Sequence, residues 1–306
     1  MATSHSPLRY PGGKQVLSRV LAHLIAKNGL EGGTYAEPYA GGAGAALTLL
    51  FGEHVHRIMI NDADIRIHAF WSSILNKTDK FLKLLQDTPL TVAQWQIQRG
   101  IYRRAREHDR LAVGFATFYL NRCNRSGIID NAGLIGGLRQ TGLWKLDARF
   151  NRAELAKRIH RICRYKSRIA LSNLDAIEFL KTLEEEPPTK ADRVFVYLDP
   201  PYYAKGSQLY LNHYQPADHA ALASYLSRDL PYTWVLSYDN VPQIRRLYRR
   251  KFKTTTFDLG YSAHRRRTGS ELLIYPAHLA FPRPWRSRIN DVYISAADSI
   301  SMPMPA

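Results

Sequence analysis

The chain is expected to fold as an α/β protein with a doubly wound, mostly parallel sheet. Seven short runs, several of them rich in β-branched or aromatic residues, point to strands, at 34–37, 55–60, 169–172, 194–198, 233–237, 253–258 and 271–275. Compact apolar runs of this kind suit strands buried on both faces. Helical stretches separate most of them, at 14–27, 43–51, 65–76, 176–184, 217–227 and 241–250. Strands alternating with helices argue for parallel pairing. No internal repeat and no long low-complexity segment interrupts the pattern.

Before the first helix stands Pro7-Leu8-Arg9-Tyr10-Pro11-Gly12-Gly13-Lys14. The Pro-Gly-Gly turn brings backbone close to a neighbour, and Lys14 sits at a helix start. A cation there opposes the helix dipole. Its task is either to meet a ligand carboxylate or simply to be solvated after the turn.

The run 34–37 leads into Tyr35-Ala36-Glu37-Pro38-Tyr39-Ala40-Gly41-Gly42-Ala43-Gly44. This is a strand, a glycine turn and a helix. Glycines admit positive φ and close ligand approach, and the helix N-terminus presents N–H groups. A plain tight turn is the other reading of these residues. The next run ends in Asn61-Asp62. An acid about twenty residues beyond such a turn is where a βαβ nucleotide site holds a ribose diol. The alternative for Asp62 is a helix cap before Ile65. The turn lacks the full G-x-G-x-x-G that a diphosphate cofactor favours. A nucleoside cofactor without phosphates, such as S-adenosyl-L-methionine, does not need it.

The alternation breaks between about Phe70 and Tyr165. Helices are expected at 92–107, 111–121 and 152–164, with a glycine-rich loop over 126–143. This region carries much of the basic charge, including Arg99, Arg103, Arg122, Arg125 and Arg139. The simplest account is a helical insertion at 71–165, dividing a sheet domain made of 1–70 and 166–280. From 281 to 306 the chain turns Pro- and Ser-rich and is expected to be an extended tail.

The run 194–198 ends in Asp199-Pro200-Pro201-Tyr202. Two prolines cannot continue a sheet ladder, so the strand stops at Asp199. A carboxylate, backbone carbonyls and an aromatic ring are left at the carboxyl edge of a buried strand, where open α/β sheets bind ligands. A carboxylate and a proline carbonyl can both accept hydrogen bonds from an exocyclic amine, while a tyrosine ring stacks on a flat base. That is the chemistry of activating an NH2 group on a planar ring. An acidic strand end followed by an ordinary turn is the alternative. Two later basic clusters follow, Arg245, Arg246, Arg249, Arg250 and Lys251 on a helical stretch, and His264-Arg265-Arg266-Arg267 before the last run.

Length allows a substantial core, and an apolar fraction of 45% is ordinary. The net charge of +17 is not ordinary and calls for a polyanionic partner. No apolar run reaches membrane-span length and the N-terminus lacks a signal-peptide pattern, which favours nucleic acid over membrane and a cytoplasmic location. The two cysteines, Cys123 and Cys163, have no metal-ligand spacing, and the eleven histidines contain no H-x-x-x-H pair, so no metal is expected.

Taken in order, Tyr10-Pro11-Gly12-Gly13-Lys14, Glu37-Pro38-Tyr39-x-Gly41-Gly42-x-Gly44, Asn61-Asp62 and Asp199-Pro200-Pro201-Tyr202 resemble the Dam-type (D12 class) DNA adenine N6-methyltransferases. The resemblance runs from about Pro7 to Tyr275. It includes Asn121-Arg122-Cys123-Asn124-Arg125-Ser126-Gly127, similar to the family's recognition stretch, and 268–274, similar to its last strand. It implies a Rossmann-like fold dependent on S-adenosyl-L-methionine, with 71–165 as a target-recognition insertion. Tyr10 and Lys14 would border the methionine end of the cofactor, and Glu37, Pro38, Gly41, Gly42 and Gly44 would form its floor. Asp62 would hold the ribose and Asp175 the adenine amine, unless Asp175 only caps the helix after it. Asp199 and the Pro200 carbonyl would grip the amino group of a flipped-out adenine, and Tyr202 would stack on it. Double-stranded DNA would be met by Arg249, Arg250, Arg265 and Arg266 at phosphates, and by Arg122, Asn124 and Arg125 at base edges. The expected protein is a monomer acting in the bacterial nucleoid or a phage-infected cell. An RNA adenine methyltransferase, an N4-cytosine enzyme and an inactive DNA-binding protein of the same fold are the rivals.

Overall fold

A computed structural model of the chain describes residues 5–9, 17–130, 132–185, 193–203, 214–228, 230–261, 267–281 and 292–295. Among the described residues eight strands form one sheet, β1 (Thr34–Glu37), β2 (Arg57–Asn61), β3 (Ile169–Ser172), β4 (Val194–Leu198), β5 (Thr233–Asp239), β6 (Lys253–Tyr261), β7 (Arg267–Tyr275) and β8 (Val292–Ser295). Their spatial order is β3-β2-β1-β4-β5-β7-β6-β8. The first five pair in parallel, and β7, β6 and β8 add an antiparallel edge.

The order of winding decides where a ligand can sit. The chain steps outward from β1 to β2 and β3, then returns to lay β4 on the other side of β1. The crossovers diverge at the β1–β4 boundary, and in sheets wound this way ligands bind beyond the carboxyl ends of the two strands at that point. Glu37 closes β1 and Asp199 follows β4 directly, so both motifs stand at that edge of the sheet.

The period of two along each strand splits the core into two layers. Tyr35, Phe195, Tyr197 and Val235 face one layer, with helices α1 (Ser18–Lys27), α2 (Gly44–Phe51) and α3 (Ile65–Asn76). Ala36, Val196, Leu198, Trp234 and Leu236 face the other, with α8 (Ala176–Glu185), α9 (Pro216–Leu226) and α10 (Pro242–Tyr248). Burial on both faces explains why β4 reads as an unbroken apolar run.

Between β2 and β3 lie α4 (Thr78–Asp87), α5 (Val92–Arg103), α6 (Arg110–Cys123) and α7 (Arg152–Arg164). Gly114 lets α6 approach α3 closely, since a Cβ there would meet the Ala69 carbonyl oxygen at 2.5 Å. Phe70 of α3 stacks on Phe118 of α6 at 6.0 Å, and Phe81, Phe115 and Phe150 complete an aromatic interior. That interior is continuous with the layer under α1 and α2.

Three expectations change. Helix α4 was not anticipated, because Thr78–Asp87 buries only Phe81 and Leu85 and so carries a thin apolar stripe. Helix α5 stops at Arg103, and a short 3-10 turn over Ala105–Glu107 replaces its expected end. The expected tail contains β8, which pairs antiparallel with β6 from Thr256↔Ser295 to Leu259↔Val292. Val-Tyr-Ile is good strand sequence, and β6 would otherwise be an open edge.

Candidate active site

The turn after β1 is braced from all sides. Glu37 is buried and its Oε1 accepts from the Tyr35 hydroxyl at 2.8 Å and the Ala46 N–H at 3.2 Å. The second bond ties the carboxyl to the start of α2. Burial pushes the Glu37 pKa up to about 8, its two hydrogen bonds oppose that rise, and the charge of Asp199 adds to it. Gly41 (φ 45°) and Ala43 (φ 46°) both adopt left-handed backbone here. Ala43 pays the strain of a Cβ in that region, which marks the turn as over-determined by its surroundings.

Asp62 clamps this turn. Its Oδ2 accepts from the Gly41 N–H and its Oδ1 from the Asp64 N–H, both at 2.9 Å. On the other side Trp71 Nε1 donates to the Gly41 carbonyl at 2.9 Å. Burial, then the nearby Asp64, pushes the Asp62 pKa up to about 7, although part of the residue still meets solvent. The cap of α3 is Asp64, whose Oδ1 accepts from the Arg66 N–H at 2.9 Å, so the alternative role considered for Asp62 belongs to its neighbour. Buried Asn61 joins three strand ends. Its Nδ2 donates to the carbonyls of Pro38 and Leu174 at 3.0 Å, and its Oδ1 accepts from Leu174 N–H and Ser172 Oγ at 2.9 Å. Asp175 caps α8 through the Ile177 N–H at 2.8 Å and remains exposed.

One strand away, Asp199 is half-buried at the end of β4. Ser237 on β5 donates to its Oδ1 at 2.7 Å, and the Tyr197 hydroxyl lies 2.8 Å from the same serine oxygen. The loop after Asp199 is anchored to the sheet's antiparallel edge. The Tyr202 hydroxyl donates to Glu271, and the Tyr203 N–H donates to Asp239 Oδ1 at 3.0 Å. Asp239 and Glu271 are opposite one another across β5 and β7. Beyond them Tyr39 and Tyr214 share a 2.6 Å hydroxyl contact, and His219 packs against Tyr203, Tyr214 and Tyr238.

The structure thus brings Glu37, Pro38, Gly41, Gly42, Gly44, Asp62 and Asp199 to one sheet edge. Tyr10 and Lys14 lie outside the described residues, as do Arg265 and Arg266. Sequence reasoning missed Ser237, Asp239 and Glu271 as site residues. Ser237 had a usable signal, because it ends an expected strand at the ligand-binding edge.

Two base-edge expectations are corrected. Asn124 is fully buried, accepts from Trp95 Nε1 at 2.8 Å and donates to the carbonyls of Ile128 and Ile129. Arg122 is half-buried and donates from Nε to the Arg149 carbonyl at 2.7 Å. Burial, with Arg9 and Arg158 nearby, lowers its pKa to about 9. Both side chains hold the segment 121–129 together from inside, because amide and guanidinium groups out of water must find partners. Arg125 is exposed and lines a cleft of about 910 Å³ with Arg66, Arg99 and Arg103. Arg249 and Arg250 are exposed just beyond α10.

Among the described residues no cluster of three His, Cys, Asp or Glu could hold a metal, and no helix is long and apolar enough to cross a membrane.

The family model for D12 class N6 adenine-specific DNA methyltransferases matches residues 10–262. No curated protein matches the chain significantly. Among solved structures, a provisionally assigned RNA methyltransferase from Pyrococcus horikoshii is similar at 11% identity and TM-score 0.36, covering 87% of this chain and 84% of that one. The rRNA methyltransferase aviRa from Streptomyces viridochromogenes is similar at 13% identity and TM-score 0.31, covering 83% of each chain. Both likenesses are too distant to carry an argument about substrate.

Proposed function

Because the chain belongs to the D12 class N6 adenine-specific DNA methyltransferase family, we propose that it methylates N6 of an adenine flipped out of double-stranded DNA, with S-adenosylmethionine as donor. The observation that supports this most is the neighbourhood of two sites across the β1–β4 boundary. The glycine turn held by Asp62 lies on one side and the Asp199 carboxylate on the other, close enough for Asp199 to raise the pKa of Glu37.

The residues fit the cofactor by their chemistry. Glu37 and Asp62 are desolvated carboxyls held by neutral N–H and O–H donors. A cationic ligand with ribose hydroxyls complements such a pair. Glu37, Pro38, Gly41, Gly42 and Gly44 would form the floor, Asp62 would take the ribose and Asp175 the adenine amine. Tyr10 and Lys14 would border the methionine end. Bound there, the cofactor would supply an electrophilic sulfonium methyl, leaving as the neutral thioether S-adenosylhomocysteine once its S–CH3 bond breaks and N6 gives up one proton to water.

The chain's own residues prepare the amine. Asp199 and the Pro200 carbonyl accept its two N–H groups, which turns the nitrogen lone pair toward the donor. Ser237 fixes the carboxylate and Tyr202 stacks on the extruded base. Holding two reactants in one geometry contributes up to about 7–11 kcal/mol in favourable cases. Exposed Arg125 would meet base edges, and the exposed pair Arg249 and Arg250 would meet phosphates.

The test is transfer from labelled S-adenosylmethionine to duplex DNA, single-stranded DNA and RNA, followed by nucleoside analysis. N6-methyladenine in duplex DNA is expected. Label in RNA alone, or in cytosine, would contradict the reading, and no transfer to any substrate would favour a binding protein.

A further inference from the structure

Resting on that reading, we propose that Leu143 and Trp144 form a preformed wedge that enters the DNA base stack where the target nucleotide leaves it. The loop between Leu134 and Leu146 is tied at both ends, since these two leucines are only 2% and 4% exposed. Its centre is filled by Gln140. The Gln140 Nε2 donates to the carbonyls of Ile135 at 2.9 Å and Gly137 at 2.6 Å, and its Oε1 accepts from the Leu146 N–H at 2.9 Å. The backbone closes on itself at Gly136 (φ 84°), where a Cβ would meet the Trp144 carbonyl oxygen at 2.8 Å. A loop so braced holds its shape before any partner arrives.

That loop nevertheless shows its largest apolar side chains to water. Leu143 is 89% exposed, and Trp144 and Leu138 are each 64% exposed. A rigid apolar tip of this kind marks a contact surface. The occupant follows from the surrounding charge. Leu138 lines the same cleft as Arg66, Arg99, Arg103 and Arg125, and exposed Arg139 and Lys145 flank the tip. An apolar wedge in a cationic frame complements DNA, where phosphates surround a stack of flat bases. Proteins that kink or open duplexes insert Leu, Phe or Met between base steps in this way. Extruding a base leaves a gap, and a leucine with an indole can fill it. A preformed wedge avoids the entropy cost of ordering a loop on binding.

The test uses the full chain with Leu143→Ala and Trp144→Ala combined. The substrates are a duplex carrying the sequence found methylated in vivo, and the same duplex with the target adenine opposite an abasic site. In the second duplex extrusion costs little. The double variant is expected to lose at least about thirtyfold in kcat/KM on the intact duplex, yet stay within about threefold of wild type on the abasic one. Thermal stability and cofactor affinity should be unchanged, because both side chains are exposed. Equal losses on both duplexes would reduce the pair to ordinary binding contacts, and no loss would remove them from the mechanism. A wild-type dimer that the double variant dissolves would make the patch a self-association surface instead. Each of these outcomes overturns the wedge while leaving methylation intact, whereas a wild-type protein inactive on every DNA overturns the functional reading itself.

Discussion

Ser237 Oγ donates a 2.7 Å hydrogen bond to Asp199 Oδ1, from the strand next to the one that Asp199 follows. This bond crosses from β5 to the end of β4, so the sheet itself helps to aim the carboxylate. A hydrogen bond to a charged group is worth about 1.5–3 kcal/mol. Ser237→Ala should therefore lower kcat roughly ten- to a hundredfold and leave the dissociation constant of the cofactor unchanged. Single-turnover methylation and calorimetry measure the two quantities, and an unaltered kcat would remove Ser237 from the site.

The Tyr202 hydroxyl is held by Glu271, a buried residue on the antiparallel edge. The ring and the hydroxyl should therefore separate by mutation. Stacking of a base on an aromatic ring is worth about 1–3 kcal/mol. Tyr202→Phe keeps the ring and should cost under about tenfold in kcat/KM, while Tyr202→Ala should cost several times more. Equal losses would mean that the hydroxyl tether matters and stacking does not.

Glu37 sets a pH dependence of stability. Its carboxyl is raised from 4.5 to about 8 in the folded protein. Between those values the unfolded chain ionises first and binds fewer protons than the native one, so stability falls as pH rises. The native state is favoured fully below about pH 4.5, and the penalty is complete above about pH 8. Asp62 acts in the same direction, from 3.8 to about 7. Glu37→Gln keeps an acceptor for Tyr35 and Ala46 without the charge. Urea midpoints at pH 5 through 8 should fall less steeply for this variant than for wild type, and identical slopes would contradict the burial argument.

Arg249 and Arg250 project from the end of α10 without burial. Each phosphate contact contributes about 0.9 to the slope of log K against log salt. Replacing both arginines with alanine should flatten that slope by about two, measured by fluorescence anisotropy on a mixed-sequence duplex. An unchanged slope would place the DNA footprint elsewhere.

Much of the sheet and the glycine turn was legible in the sequence because local rules decide them. Asp199 had to follow a strand end once two prolines came next, and β4 had to be buried because no polar residue interrupts it. The rest depends on partners distant in sequence. Nothing near Ser237 says that its hydroxyl meets Asp199, and nothing near Glu271 says that it holds Tyr202. Asn124 is expected at base edges because its stretch resembles the family's recognition segment, yet the fold turns it inward onto Trp95. Strand β8 was hidden by its Pro- and Ser-rich surroundings, since its partner β6 lies far back in the chain.

The most direct measurement compares wild type with Asp199→Ala after expression in a host free of DNA methylation. Digested genomic DNA from cells expressing wild type should contain N6-methyladenine, and DNA from the variant should contain none, while the purified variant still binds S-adenosylmethionine with wild-type affinity. N6-methyladenine at wild-type levels with Asp199→Ala would contradict the assignment of this carboxylate as the group that activates the amine.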